Sequence, residues 1–258
     1  MNRIDLLLKE ANNKVVNIYL TAGYPTFESI VPIIQLLEQN GATMIEVGIP
    51  FSDPLADGPV IQHSSKIALE NGMTTELLFH QLKEVRKISQ IPLVLMGYLN
   101  PVIQFGVENF LKNASECEVD GLILPDLPPE IFEKDYQHLF EKYNIYPIFL
   151  VTPQTSEERL HKLDSLSKGF VYAVSSSSTT GKNTGFTDEH LQYFKRLASA
   201  GLKNPLMIGF GISTHQSLQT VFDFASGAII GSAFIKSLDQ KKTDFGIPAF
   251  MNQIINDK

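Results

Sequence analysis

The chain has no tryptophan and a single cysteine, Cys117, so it cannot form an intrachain disulfide. A fold stapled by bridges is excluded, and a reducing compartment is compatible. The neighbours Glu116 and Glu118 are acidic, which disfavours a reactive thiolate at Cys117. No block of basic residues occurs, and 21 Lys and Arg against 28 Asp and Glu leave a net charge of −7. Nucleic acid and anionic membrane surfaces are poor partners for such a surface. No window approaches the 18 or so uninterrupted apolar residues of a membrane span. At the N-terminus, Asp5, Lys9 and Glu10 interrupt any apolar run of the kind a secretory signal needs, so the cytoplasm is the expected location. The six histidines are scattered without metal-ligand spacing, and no metal site is expected. No Gly-x-Gly-x-x-Gly follows the first apolar run, where Ala22-Gly23-Tyr24-Pro25 stands instead, and no Walker lysine motif is present.

What the chain does have is a regular alternation. Hydrophobic residues make up 43% of 258 positions, and short apolar or β-branched runs alternate with helical patterns from end to end. That alternation predicts a parallel sheet covered by helices. Eight strands are expected: Val15–Thr21, Thr43–Gly48, Leu93–Tyr98, Gly121–Leu124, Tyr146–Val151, Phe170–Val174, Leu206–Ile208 and Ala228–Ile230. Between them, Ile30, Ile33, Ile34 and Leu37 keep helical spacing, and Leu77, Leu78, Leu82, Val85 and Ile88 do so more loosely. Thr155 with Glu158 and Ser213 with Gln216 have capping-box spacing, and Asn100-Pro101 puts proline in a first helical turn. Eight βα units of about 32 residues fit one α/β domain, a (β/α)8 TIM barrel spanning 1–258.

In such a barrel the active site lies at the C-terminal ends of the strands. Glu46 is the clearest anomaly there, a carboxylate inside the apolar run Thr43–Gly48. A buried carboxylate is costly unless it is paired or functional, so it is either a catalytic group or the partner of a nearby lysine. The loop after it holds Asp53 and Asp57 between prolines. Asp53-Pro54 and Asp57-Gly58 are ordinary turn dipeptides. For Asp53 turn chemistry is the preferred reading, whereas Asp57 is the better second catalytic carboxylate. Gly209-Phe210-Gly211 and Gly231-Ser232 follow the last two strands, where barrels often hold a phosphate on backbone amides. Tight-turn geometry is the rival account of these glycines, and their joint placement favours phosphate. Tyr19, Tyr98, Tyr172 and Phe210 near the rim could sandwich a flat ring, although core packing accounts for each one singly.

The stretch IEVGIPFSDPLADGP, Ile45–Pro59, resembles the signature of the tryptophan synthase α-subunit family. Similar segments occur in order along the whole chain: Tyr19–Pro25, Tyr98–Pro101, Asp120–Pro128, Gly209–Ser213 and Gly231–Ala233. The resemblance implies a lyase of tryptophan biosynthesis that cleaves indole-3-glycerol phosphate to indole and glyceraldehyde 3-phosphate. It implies Glu46 as general acid and base, and Asp57 as its partner at the indole nitrogen. Tyr172 is implied near the substrate, and Gly181 joins Gly211, Gly231 and Ser232 at the phosphate. Asp53 and Pro54 are implied to reach a β subunit in an α2β2 assembly. That partner carries pyridoxal phosphate, and this chain needs no cofactor. The sixth βα loop departs from the family. A basic residue, a variable one, then Gly-Val-Thr-Gly is usual, but Ser175–Thr179 precede Thr180 and Gly181 here. The hydroxyl-rich run suggests a lid, with Thr180 resembling the residue that bonds the catalytic aspartate on closure. A free-standing lyase that releases indole is the alternative, and a non-catalytic activator of a β partner is disfavoured because Glu46 and Asp57 are both retained.

Overall fold

A computed structural model describes residues 2–9, 14–54, 57–174, 185–209 and 211–256. Nine strand segments form one parallel sheet. We number them as eight barrel strands: β1 Val15–Thr21, β2 Met44–Gly48, β3 Leu93–Met96, β4 Gly121–Ile123, β5 in two pieces (Tyr146–Ile148 and Leu150–Val151), β6 Val171–Val174, β7 Leu206–Gly209 and β8 Gly227–Ile230. β1 pairs with β2 on one side and with β8 on the other. The two pieces of β5 pair with β4 and β6 respectively, so the chain through Phe149 closes the ring. This is the barrel expected from the alternation of apolar runs.

The expected fifth strand is thus broken at Phe149. Its N–H donates to the Ser167 hydroxyl (3.1 Å) instead of to a neighbouring strand, and its ring packs edge-on against Phe132. Two cap assignments shift by one residue. Ser156, not Thr155, accepts from Arg159 N–H at the start of the helix Glu157–Leu166, while Thr155 accepts from Thr152 N–H. Thr214, not Ser213, forms the capping box with Ser217 before the helix His215–Phe222. Pro101 lies in the first turn of the helix Leu99–Phe105, as expected.

Strand alternation divides the core into two layers. Val16, Ile18, Leu20, Ile45, Val47 and Leu95 point outward and pack on helical residues that include Ile33, Ile34, Leu37, Leu78, Leu82 and Val85. Each such fully buried side chain contributes about 1.5–3 kcal/mol relative to exposure. Of the more loosely spaced set, Leu77 and Ile88 are exposed instead of packed. Val15, Met44, Val94, Ile123, Ile148, Met207 and Ile229 point inward and fill the lower half of the lumen.

Ile4, on the helix Arg3–Lys9, joins this inner cluster from below. Asn2 Nδ2 donates to the Asp120 carbonyl (2.9 Å), which anchors this helix across the bottom. The Asp120 carboxylate accepts from Leu93 N–H (2.8 Å) and Arg86 Nη2 (3.1 Å). Arg86 also donates to the carbonyls of Ile91 and Glu118, so this buried pair is well supplied with partners. The bottom of the barrel is therefore built for stability, and the candidate site residues lie at the other end.

Candidate active site

The inward positions of β1 are Val15, Asn17, Tyr19 and Thr21, and those of β2 are Met44, Glu46 and Gly48. Tyr19 pairs with Glu46 in register, and Thr21 with Gly48. Apolar side chains close the lumen below, so the polar ones sit at the level where the barrel opens. Glu46 is 1% exposed. Its Oε2 accepts a long hydrogen bond from Asn17 Nδ2 (3.3 Å), and its Oε1 has no partner among the described residues. Burial pushes the Glu46 carboxyl up to about 8; the Asn17 hydrogen bond opposes this and the nearby Asp57 charge adds to it. Among the described residues no lysine acts on Glu46, so the pairing that would have made it a structural residue is not found there. Asn17 and Asp57 both act on its titration, in opposite senses.

Two glycines make room for the aromatic walls. A Cβ on Gly48 would collide with the Tyr19 hydroxyl, and one on Gly209 would collide with that of Tyr172. Both tyrosines are buried, and both hydroxyls are held far above their ordinary range by burial, with the Glu46 and Asp57 charges adding to it. They are neutral at any physiological pH. Thr21 lies within reach of the Tyr19 hydroxyl (3.5 Å) and shares a 2.7 Å hydrogen bond with Ser64, which ties β1 to the helix Pro59–Glu70.

Asp57 stands where the loop after β2 enters that helix. Burial raises its carboxyl above the usual range, and a hydrogen bond from the Tyr98 hydroxyl, which favours the charged form, opposes the rise. The Tyr98 ring packs against Phe51 with centroids 5.2 Å apart. Gln62 Nε2 holds the Asp57 carbonyl (2.7 Å). The loop is thus fixed at both ends by contacts that the sequence did not reveal. Asp53 faces solvent and accepts from the Ser52 hydroxyl. With Pro54, Pro59, His63, Lys66 and Leu69 it lines a cleft of about 660 Å³ on the outer side of this loop.

Gly231 follows β8 beside Tyr19, where an added Cβ would stand in ordinary contact with that side chain, and the exposed Ser232 begins the helix Ser232–Ser237. Gly211 follows β7 with φ +78°, a left-handed conformation that favours glycine. These three therefore share the rim with Tyr19 and Tyr172. Thr180, Gly181 and Phe210 lie outside the described residues. All six histidines fall on helices, and among the described residues no cluster of His, Cys, Asp and Glu could hold a metal ion. Nor is any helix among them long and apolar enough to cross a membrane. The Cys117 thiol is pushed up to about 11, by burial first.

Asn17 was not anticipated. Its signal was available: a polar residue in the apolar run Val15–Thr21, two positions before Tyr19 and so on the same inward face.

Comparison with known proteins gives the family. The family model described as tryptophan synthase alpha chain matches residues 6–249. The chain belongs to the tryptophan synthase alpha chain family. The tryptophan synthase alpha chain of Flavobacterium psychrophilum is 52% identical over 98% of this chain and 100% of the relative. A crystal structure of the alpha chain from Legionella pneumophila superposes with a TM-score of 0.89 at 34% identity, covering 99% of this chain and 96% of that one. A chain of the tryptophan synthase complex from Pyrococcus furiosus gives 0.82 at 34% identity, covering 93% and 97%.

Proposed function

We propose that this chain cleaves indole-3-glycerol phosphate by a retro-aldol reaction, giving indole and glyceraldehyde 3-phosphate. The observation that carries the reading is Glu46: a buried carboxyl, pushed up to about 8, with one oxygen unpartnered among the described residues. Such a group is largely protonated at neutral pH and can act as an acid. It gives its proton to the ring carbon that bears the glyceryl chain, which makes that carbon a leaving group and places positive charge on the ring nitrogen. Asp57 stabilises that charge. The Glu46 carboxylate then takes the proton of the adjacent glyceryl hydroxyl. The carbon–carbon bond breaks, its electron pair returns to the ring, and the hydroxyl carbon becomes the aldehyde. Glu46 ends protonated, ready for another turnover.

The other site residues have positioning roles. Tyr19 and Tyr172 flank the ring, with Tyr98 holding Asp57 from the side; Phe210 is a further aromatic candidate for the ring, and Thr180 by resemblance is the residue that bonds Asp57. The phosphate is held by backbone amides at Gly211, Gly231 and Gly181 and by the Ser232 hydroxyl, which supplies binding energy remote from the reacting bond. Asp53 and Pro54 form part of a β-subunit contact. The outward cleft they line supports this, as does the likeness to a chain of the Pyrococcus complex. Pyridoxal phosphate belongs to that partner, and no step here requires a cofactor.

Indole release from indole-3-glycerol phosphate tests the reading, measured with and without a cognate β subunit. Glu46→Gln keeps the shape but removes the proton and should lower the rate by at least about 10². Near-full activity in that variant would overturn it. Full activity of the wild-type chain alone, with no co-elution on adding the β subunit, would identify a free-standing lyase instead.

A further inference from the structure

We infer that Asn17 is a positioning residue for the reaction: its side-chain amide anchors one oxygen of Glu46 and stabilises the charged form that arises during turnover. The inference rests on the reading of Glu46 as proton carrier. Asn17 is wholly buried on β1, its Nδ2 lies 3.3 Å from Glu46 Oε2, and its own Oδ1 has no partner among the described residues. The unpartnered oxygen of Glu46 is the other one, Oε1. The contact therefore holds the carboxyl by one edge and leaves the second oxygen for substrate.

Asn17 is a poor choice on stability grounds alone. A half-satisfied amide buried between strands costs stability compared with an apolar side chain of similar shape. Its chemistry suits a carboxyl that changes protonation state. An amide carries a donor on one end and an acceptor on the other, whereas a carboxylate needs a donor and a carboxylic acid needs an acceptor. The terminal torsion of Asn is broad and nearly two-fold, so a half-turn presents either end. In the orientation observed, Nδ2 faces Glu46 and favours the ionised form. That form arises when the proton has moved to the ring, so the contact eases the transfer. Asp57, Tyr19 and Tyr172 also face Glu46, from the loop after β2, from β1 and from β6. Asp57 acts in the opposite sense to Asn17, and both tyrosines stay neutral.

Asn17→Leu tests this on the full chain, with Asn17→Val in reserve should the larger side chain overpack. Either variant should keep or raise the melting temperature while lowering kcat about tenfold. The alkaline limb of the rate profile, set by loss of the Glu46 proton, should move up by about one pH unit, the scale of one hydrogen bond to a charge. The infrared carboxyl band of Glu46, identified by its loss in Glu46→Gln, should show the same upward shift of its midpoint without any turnover. An unchanged band midpoint in whichever variant folds would overturn the inference and leave Asn17 a packing residue. The outcome is separable from the reading of Glu46: full activity in Glu46→Gln would sink that reading, whereas the infrared midpoint reports on Asn17 alone.

Discussion

Glu46→Gln should make the protein more stable at alkaline pH, and the size of the gain follows from its burial. In the unfolded chain the carboxyl titrates at its ordinary value of 4.5, and in the folded protein at about 8. A carboxyl whose folded value is raised favours folding through its protonated form. That contribution is present below the unfolded value and is lost as pH rises through the folded one. Between pH 5 and pH 9 the unfolded state releases the proton almost at once, while the folded state keeps it until about pH 8. At about 1.36 kcal/mol per unit, the accumulated loss over that window is about 4 kcal/mol. A glutamine at 46 has nothing to titrate, and its amide can donate to the free Asn17 Oδ1. The variant should therefore gain about 4 kcal/mol on the wild type between pH 5 and pH 9, with the smaller gap at pH 5. Urea unfolding of both proteins at the two pH values, followed by far-ultraviolet circular dichroism, measures the difference. A gap that does not change with pH would mean that Glu46 is solvated in the folded protein, and the basis for its role as an acid would fall with it.

Further substitutions probe the other parts of the arrangement. Asp57→Asn keeps the hydrogen bond to Tyr98 but removes the charge, and should lower kcat by about 10² with little change in KM; steady-state indole formation decides, and an unchanged kcat would remove Asp57 from the chemistry. Gly231→Asp has room for its Cβ beside Tyr19. It should raise KM at least about thirtyfold, from ~2 kcal/mol of repulsion against the phosphate; an unaltered KM would place the phosphate elsewhere. Asp120→Ala strands the buried Arg86 guanidinium at the opposite end of the barrel. It should cost about 3–5 kcal/mol of stability and leave kcat unchanged where the protein is folded; a loss of kcat with stability intact would contradict the division between the two ends.

The sequence carried the architecture because parallel strands buried on both faces read as apolar runs, and β1 is found at Val15–Thr21 as expected. It failed at Phe149, where one side-chain hydroxyl from a distant residue breaks the ladder. Such a contact leaves no local trace. The caps failed by a single residue for a related reason, since runs such as Thr155-Ser156 and Ser213-Thr214 offer two hydroxyls, and backbone direction alone selects one. Glu46 was legible as a charge where burial made charge expensive, and Asn17 carried the same mark in a weaker form. The Tyr98 hydroxyl on Asp57 was not legible at all, because it joins the loops after two strands, about forty positions apart. The glycines show a further limit. Gly48 read as an ordinary strand end and Gly209 as part of a glycine turn after the seventh strand, yet each leaves the space that a tyrosine hydroxyl fills. At Gly48 that tyrosine is Tyr19 on the adjacent β1, and at Gly209 it is Tyr172 on the adjacent β6. A side chain absent from one strand is thus what admits the large one from its neighbour, and the apolar walls around Glu46 that raise its carboxyl depend on both.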